Sequence, residues 1–379
     1  MARFFGFDLG DGESAVCFLA SNANANVSPQ SVQVFGEDCF ISTYGRSDSN
    51  EILLGNEAIN DAMPTSLHAR FKRNYLNDPR NTAIDIQTFA RAVHDDLEAT
   101  GQDIDADDVT FAVGCPSSWN EAARNNYKSI FEAAGFRNVQ VISESRAAFI
   151  FAKQAGLCSY DDLRKLVLII DAGSSTMDMT IVDSFVPNDF GDPKLGAGLI
   201  DQELLRLNEK REEALHNILT EYPAWRVRYE LDARKLKEDY FIKENKALKA
   251  NTAPRMAKKT IITEEGNISI SCSQEDMKQI LAAKLDDLEG KSFIEAYKIC
   301  LEDVKSRVER LELIILTGGA SRMSFIRAMA ANVFPDARIV QGNSPELSIA
   351  QGLAYTLSID SRVKDKNIDL YGLSIDCRK

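Results

Sequence analysis

Two segments far apart in the chain each place an aspartate just before a glycine-bearing turn. An apolar run ends at Asp8-x-Gly10 in the first segment and at Asp171-x-Gly173 in the second, and a second apolar run follows each turn. Glycine lets backbone N–H groups approach phosphate oxygens. A neighbouring carboxylate can hold Mg²⁺ through water, because this ion gives up its water ligands reluctantly. Two such hairpins facing each other would clamp a phosphate chain and its metal, as phosphoryl transfer requires.

One Asp-x-Gly hairpin is ordinary turn chemistry, and it is the repetition that favours a phosphate site. The repetition also predicts two related lobes. The turn residues expected to contact phosphates are Gly10, Asp11 and Gly12 in the first hairpin and Gly173, Ser174 and Ser175 in the second.

A third glycine turn follows the apolar run Leu313–Thr317. Gly318 and Gly319 would let a flat ring or a ribose lie against the backbone before a helix begins. Arg322 could stack on a base or could be a plain surface arginine. By itself, this turn is equally compatible with any tight connection between a strand and a helix.

Apolar strand patterns alternate with helical patterns along the chain, which predicts an α/β fold. The predicted strands are Arg3–Leu9, Ala15–Ala20, Val109–Gly114, Leu166–Asp171, Met177–Phe185 and Leu313–Thr317. The predicted helices are Glu121–Ala134, Ser145–Ala155, Ile200–Thr220 and Ser324–Val333. Residues 206–259 are rich in lysine and arginine and are interpreted as a solvated helical insertion.

Composition narrows the function classes. A chain of 379 residues is too long for one ordinary core. The net charge of −13 argues against non-specific binding to nucleic acid or to anionic membranes. Seven cysteines without a Cys-x-x-Cys pair and three scattered histidines predict a reduced, cytoplasmic protein without a zinc site. We expect neither a secretory leader nor a membrane span.

Taken together, the three turns resemble the phosphate-one, phosphate-two and adenosine motifs of the actin, sugar-kinase and heat-shock ATPase superfamily. The chain is most similar to the nucleotide-binding domain of the seventy-kilodalton heat-shock chaperone family, over nearly its whole length. Four further segments resemble that family's motifs in the right order, namely residues 112–120, 141–148, 194–201 and 344–352.

The resemblance implies a two-lobed, actin-like ATPase fold of duplicated ribonuclease-H-like domains with inserted subdomains. Lobe I would comprise residues 1–164 and about 345–379, with an insertion at about 36–105. Lobe II would comprise residues 165–344, with an insertion at about 206–308. Binding and hydrolysis of ATP would switch the closure of the lobes.

The resemblance also implies roles for individual residues. Asp8 and Asp171 would hold Mg²⁺ through water, and Glu144 would order that shell or the attacking water. Lys72, with Arg73 as the rival, would be the catalytic lysine near the γ-phosphate, where Thr176 and Asp178 would also lie. The remaining nucleotide contacts would come from Gly196, from Lys235 with Lys237 as its rival, and from Gly318, Gly319, Ala320, Arg322 and Glu346.

Three departures from the family pattern bear on activity. Asp11-Gly12 stands where the family usually has two threonines, and Gly173-Ser174-Ser175-Thr176 stands where it has Gly-Gly-Gly-Thr. Ser145 replaces the proline that follows Glu144. An added carboxylate should repel phosphate, and the lost glycines should stiffen the second turn. We therefore expect ATP and ADP binding with slow hydrolysis, and an altered relay to any partner domain.

Other function classes stay open at this point: a filament-forming actin-like ATPase, a small-molecule kinase of the same superfamily, or a degenerate regulatory module that binds nucleotide without turning it over. A P-loop ATPase is disfavoured because Gly-x-x-x-x-Gly-Lys-Ser/Thr is absent. Residues 369–379 have the apolar alternation with which a strand or a linker begins. We therefore expect a C-terminal substrate-binding domain outside this chain, together with a co-chaperone or an exchange factor.

Overall fold

The computed structural model describes residues 2–20, 27–72, 75, 78–183, 186–192, 194–263 and 266–362. Arg73 and the linker-like segment 369–379 lie outside these residues, so the predictions for them have no structural counterpart. Among the described residues, no helix combines the length and the apolar composition that crossing a bilayer requires.

The described residues alternate strands and helices, which confirms the predicted α/β class. The strands are β1 (Arg3–Leu9), β2 (Glu13–Ala20), β3 (Gln30–Val32), β4 (Cys39–Ile41), β5 (Thr43–Arg46), β6 (Ile52–Leu54), β7 (His68–Ala69), β8 (Val109–Cys115), β9 (Val139–Ser143), β10 (Val167–Ala172), β11 (Met177–Asp183), β12 (Val186–Asp192), β13 (Ala257–Thr263), β14 (Gly266–Cys272), β15 (Leu313–Thr317) and β16 (Arg338–Gln341). The helices are α1 (Gly55–Asp61), α2 (Pro79–Ala99), α3 (Glu121–Ala133), α4 (Glu144–Gln154), α5 (Tyr160–Leu163), α6 (Gly198–Glu209), α7 (Glu213–Glu221), α8 (Arg226–Ala250), α9 (Gln274–Ala282), α10 (Phe293–Arg307), α11 (Ser324–Val333) and α12 (Ser348–Arg362).

Two sheets repeat one topology. The first has the order β3-β2-β1-β8-β9, with β4 also paired to β2, and the second has the order β12-β11-β10-β15-β16. In each sheet an antiparallel hairpin is followed by two parallel strands. The similarity of the two Asp-x-Gly hairpins therefore extends to two whole sheets.

Two helices fill the space between the sheets. Helix α4 packs against α12, and α12 also covers β1, β2 and β8 of the first sheet. Their shared core includes Ala147, Phe149, Leu353 and Leu357, all buried, together with residues of both sheets. Close packing of this kind transmits strain and resists deformation. The packing of α4 and α12 between the sheets therefore fixes the two hairpins relative to each other.

The long predicted helix Ile200–Thr220 is instead two helices, α6 and α7. The chain turns between them at residues 210–212, where the Arg211 guanidinium pairs with Asp276. The turn lets α7 bury Leu215 and Leu219 in the core of the second sheet. A continuous helix would not bring these side chains to the same core.

Helix α8 reaches the segment that runs from β4 to just beyond β7. Leu231 packs with Ile41 and Ile59, and the Arg70 guanidinium lies 3.1 Å from a Glu230 carboxylate oxygen. These contacts close the space above the two hairpins into a cleft.

Candidate active site

The two hairpin turns face each other across the cleft. The Ser175 hydroxyl donates a hydrogen bond to the Asp11 carboxylate. A Cβ atom placed on Gly12 would lie 2.4 Å from the Ser174 Cβ atom, which is closer than real Cβ contacts. The turns open on a cavity of about 1210 Å³, which α8 and the residues from Gly318 onward also line. The predicted opposition of the hairpins is therefore present in the structure.

The contact between the turns accounts for two departures from the family pattern together. Where the family has a threonine, Gly12 has no side chain, and where the family has a glycine, Ser174 has one. Since Ser174 occupies the space that a side chain at position 12 would need, the two changes compensate sterically.

Carboxylates form the floor of the cavity. Burial, and then repulsion from Glu144, raise the pKa of Asp8 to about 7, although Lys72 pulls this pKa down. Burial and repulsion from Glu144, Asp178 and Asp8 hold the pKa of Asp171 well above its ordinary value. These carboxylates resist ionisation, and a divalent cation between them would stabilise their ionised forms. The residues present therefore fit a magnesium site.

Lys72 brings a positive charge to the carboxylates at the floor of the cavity. Its ammonium lies 2.9 Å from a Glu144 carboxylate oxygen, and both side chains are largely buried. Burial lowers the pKa of Lys72, but the attraction of Glu144, Tyr127 and Asp8 outweighs burial and raises it. Glu144 itself is the first residue of α4, whose N-cap is Ser143. Both side chains line the cavity.

The second hairpin adds a hydroxyl and a further carboxylate. The Thr176 hydroxyl donates to Asp178 over 2.6 Å. Burial raises the pKa of Asp178 to about 6, in spite of this hydrogen bond. Ser145, which stands in place of the family's proline, hydrogen-bonds through its hydroxyl to Ser117.

The third glycine turn forms the far end of the cavity. Gly318 has a φ of +77°, and a Cβ atom there would lie 2.4 Å from the Ala172 carbonyl oxygen. Any other residue would therefore be strained and crowded against the second hairpin. The Arg322 guanidinium is held by Glu346 through contacts of 3.0 and 2.8 Å, so it is fixed beside this turn.

The cavity collects nearly all of the predicted site residues. Those that line it are Asp8, Gly10, Asp11, Gly12, Lys72, Glu144, Asp171, Gly173, Ser174, Ser175, Thr176, Asp178, Gly318, Gly319, Ala320, Arg322 and Glu346. Gly196 instead packs against the backbone of Ser174 and Ser175 and supports the second turn from behind.

The structure does not bring Lys235 to the cavity. Its ammonium donates to the Asn56 side chain over 2.7 Å, on the face of α8 that meets α1. Lys237, the rival, lines the cavity and pairs with Asp201 over 2.8 Å. Sequence reasoning missed Arg234 and Phe241, which also line the cavity. Their spacing of three and four residues from Lys237 is the helical signal that could have found them.

Comparisons of the sequence with known proteins give a family and several relatives. The Hsp70 protein family matches residues 85–376. The chaperone protein DnaK of Thermosipho melanesiensis is 25% identical over 377 residues, which cover 93% of this chain and 59% of the relative. The heat shock cognate HSP70 protein of Trypanosoma brucei brucei is 25% identical over 259 residues, with 64% and 35% covered. A ribosome-associated molecular chaperone of Nakaseomyces delphensis is 24% identical over 255 residues, with 63% and 37% covered.

Proposed function

Because the chain belongs to the Hsp70 family, we propose that it binds ATP and ADP with Mg²⁺ in the cleft and hydrolyses ATP slowly. The observation that carries this proposal is the pair of opposed Asp-x-Gly hairpins above a floor of carboxylates and one lysine. The sheets that bear the hairpins would be the cores of two lobes, residues 1–164 with about 345–379, and residues 165–344. Nucleotide state would then control how the lobes close.

The roles follow from position and charge. Asp8 and Asp171 would hold Mg²⁺ through water, and the metal would neutralise charge on the phosphates. The Lys72 ammonium would stabilise the negative charge that develops at the γ-phosphate, and its pairing with Glu144 keeps it oriented. The Thr176 hydroxyl and the Asp178 carboxylate would orient the attacking water.

Two features of the turns support slow turnover. The Asp11 carboxylate lies between the hairpins, bound to Ser175, where it adds negative charge near the phosphates. The second turn has lost two of the family's glycines and therefore has less backbone freedom. In the extreme case of slow hydrolysis, the chain would bind nucleotide without turning it over. The relatives reported above carry chaperone names, which favours the chaperone class over filament-forming ATPases.

The chain spans between about a third and three-fifths of the length of the curated relatives it matches. We propose that it works with a C-terminal substrate-binding domain outside these residues, and with a co-chaperone or an exchange factor. The six cysteines among the described residues are free thiols, which supports a reduced, cytoplasmic setting.

Calorimetry with ATP and ADP, with and without Mg²⁺, tests the proposal, followed by single-turnover hydrolysis. Ligand at 100 times its dissociation constant should stabilise the protein by about 2.7 kcal/mol. Asp171→Asn should slow hydrolysis by about 100- to 1000-fold while the fold is retained, because about 3–4 kcal/mol of transition-state stabilisation is lost. If millimolar nucleotide with Mg²⁺ neither releases heat nor raises the melting temperature, the proposal fails.

A further inference from the structure

The arginine that sequence reasoning missed lies beside the first hairpin turn. Arg234 comes from α8, and its guanidinium Nη1 donates to the Gly12 carbonyl oxygen over 2.8 Å. Its Nη2 lies 2.9 Å from a Glu13 carboxylate oxygen, and its Nε donates to Glu238 over 2.8 Å. A Cβ atom on Gly12 would meet both Ser174 and the Arg234 guanidinium. Arg234 therefore lies where the two turns meet.

Arg234 is the cavity-lining cation that hydrogen-bonds the first hairpin turn. Among the described residues, Lys72 is committed to Glu144, Lys237 to Asp201 and Arg322 to Glu346, each with one carboxylate. Three further cations also line the cavity. Of these, Lys246 and Lys249 lie about 18 Å or more farther along α8, and Arg327 donates to the Ile339 carbonyl oxygen. A guanidinium carries five N–H donors. The contacts of Arg234 within the described part of the chain use one hydrogen on each nitrogen, so one on Nη1 and one on Nη2 remain for a ligand.

The first turn needs such a cation if it is to accept phosphate. It carries two acidic side chains, Asp11 and Glu13, and both line the cavity. Burial raises the pKa of Glu13 and Arg234 lowers it, so the two side chains are electrostatically linked. An arginine fork matches phosphate geometry and stays charged at any physiological pH.

We propose that Arg234 binds the phosphate chain of the nucleotide and makes the site selective for nucleotides over nucleosides. This inference rests on the proposed nucleotide binding. Arg234 offsets the negative charge of the first turn, and it lines the cavity that the phosphates would enter. Phosphate binding would thereby also tie α8 to the first hairpin.

The test compares the affinities of ADP and adenosine, measured by calorimetry with Mg²⁺, in the wild type and in variants. Arg234→Ala should weaken ADP about 10- to 100-fold, as expected for loss of charge-assisted hydrogen bonds. Adenosine, which has no phosphate, should bind equally well to both proteins. Arg234→Lys should recover part of the ADP affinity, since the charge is kept and the fork is lost.

Arg228→Ala is the matched control. Arg228 belongs to the same helix and donates to the Asn60 carbonyl oxygen over 3.1 Å, but it does not line the cavity. Its removal should leave the ratio of ADP to adenosine affinity unchanged. If Arg234→Ala weakens ADP and adenosine equally, Arg234 only shapes the cavity and the inference is overturned.

A double variant covers the case in which the single variant folds poorly. Glu13→Gln with Arg234→Gln removes both charges and avoids leaving the partly buried Glu13 without its partner. We expect this protein to fold and still to lack the preference for ADP. If the double variant regains wild-type ADP affinity, Arg234 only neutralises Glu13 and the inference is wrong. If the wild type itself binds neither ADP nor ATP, the proposed function fails first.

Discussion

Asp8→Asn should stabilise the metal-free protein, and the gain should grow with pH. Burial and repulsion from Glu144 raise the pKa of Asp8 from an ordinary 3.8 to about 7. The folded state therefore favours the protonated carboxyl. The stability that this form contributes is present below 3.8 and is lost as the pH rises through about 7. An asparagine, which does not ionise, should escape that loss.

The size of the gain follows from the shift. Each pKa unit corresponds to about 1.4 kcal/mol, so the full shift amounts to about 4 kcal/mol above neutral pH. At about pH 5, only the interval between 3.8 and 5 contributes, which leaves about 2 kcal/mol. Asp8 keeps some contact with solvent, so both figures are upper values.

Urea unfolding of both proteins from about pH 5 to pH 8, with a chelator present, measures the effect. Asp276→Asn provides a control of opposite sign, because a hydrogen bond from Arg211 lowers the pKa of Asp276 to about 2. That carboxylate stabilises the fold above 3.8 and loses its effect as the pH falls through about 2. The control variant should therefore be less stable than the wild type at neutral pH. A gain from Asp8→Asn that does not change with pH would refute the reasoning.

Three further predictions concern the turns and the lysine. Lys72→Met should slow single-turnover hydrolysis by about 100-fold or more while nucleotide affinity changes much less; an equal loss of affinity would mean that Lys72 only supports the cleft. Asp11→Thr should tighten ATP binding in calorimetry, because a negative charge leaves the turn; weaker binding would assign Asp11 a structural or metal-binding role. Gly12→Thr should lower the melting temperature, and adding Ser174→Gly should restore it; additive losses would contradict the steric pairing.

The sequence was informative where one short pattern specified both a backbone turn and residues that could bind phosphate or metal. Apolar strands that end in Asp-x-Gly require a turn at a strand end, and the structure has both hairpins there. The repetition of that signal also anticipated two sheets of one topology. The turn at Gly318 was also predictable from the sequence, because its positive φ is a backbone conformation that favours glycine.

The sequence was less informative along the charged helix α8. Lysines and arginines follow one another closely there, and composition does not indicate which face meets the cavity. The helix turns by about 100° per residue, so a shift of two residues, from Lys235 to Lys237, moves a side chain to another face. The helix orientation is set by tertiary contacts such as Leu231 with Ile41 and Ile59, which no local pattern specifies.

The close contact of Gly12 with Ser174 makes the two positions interdependent. A side chain at position 12 would collide with Ser174, so in this backbone geometry a threonine in the first turn and a serine in the second exclude each other. The family's threonine can therefore be introduced at position 12 only if Ser174 is replaced first or at the same time, and the two turns have to be redesigned as one unit.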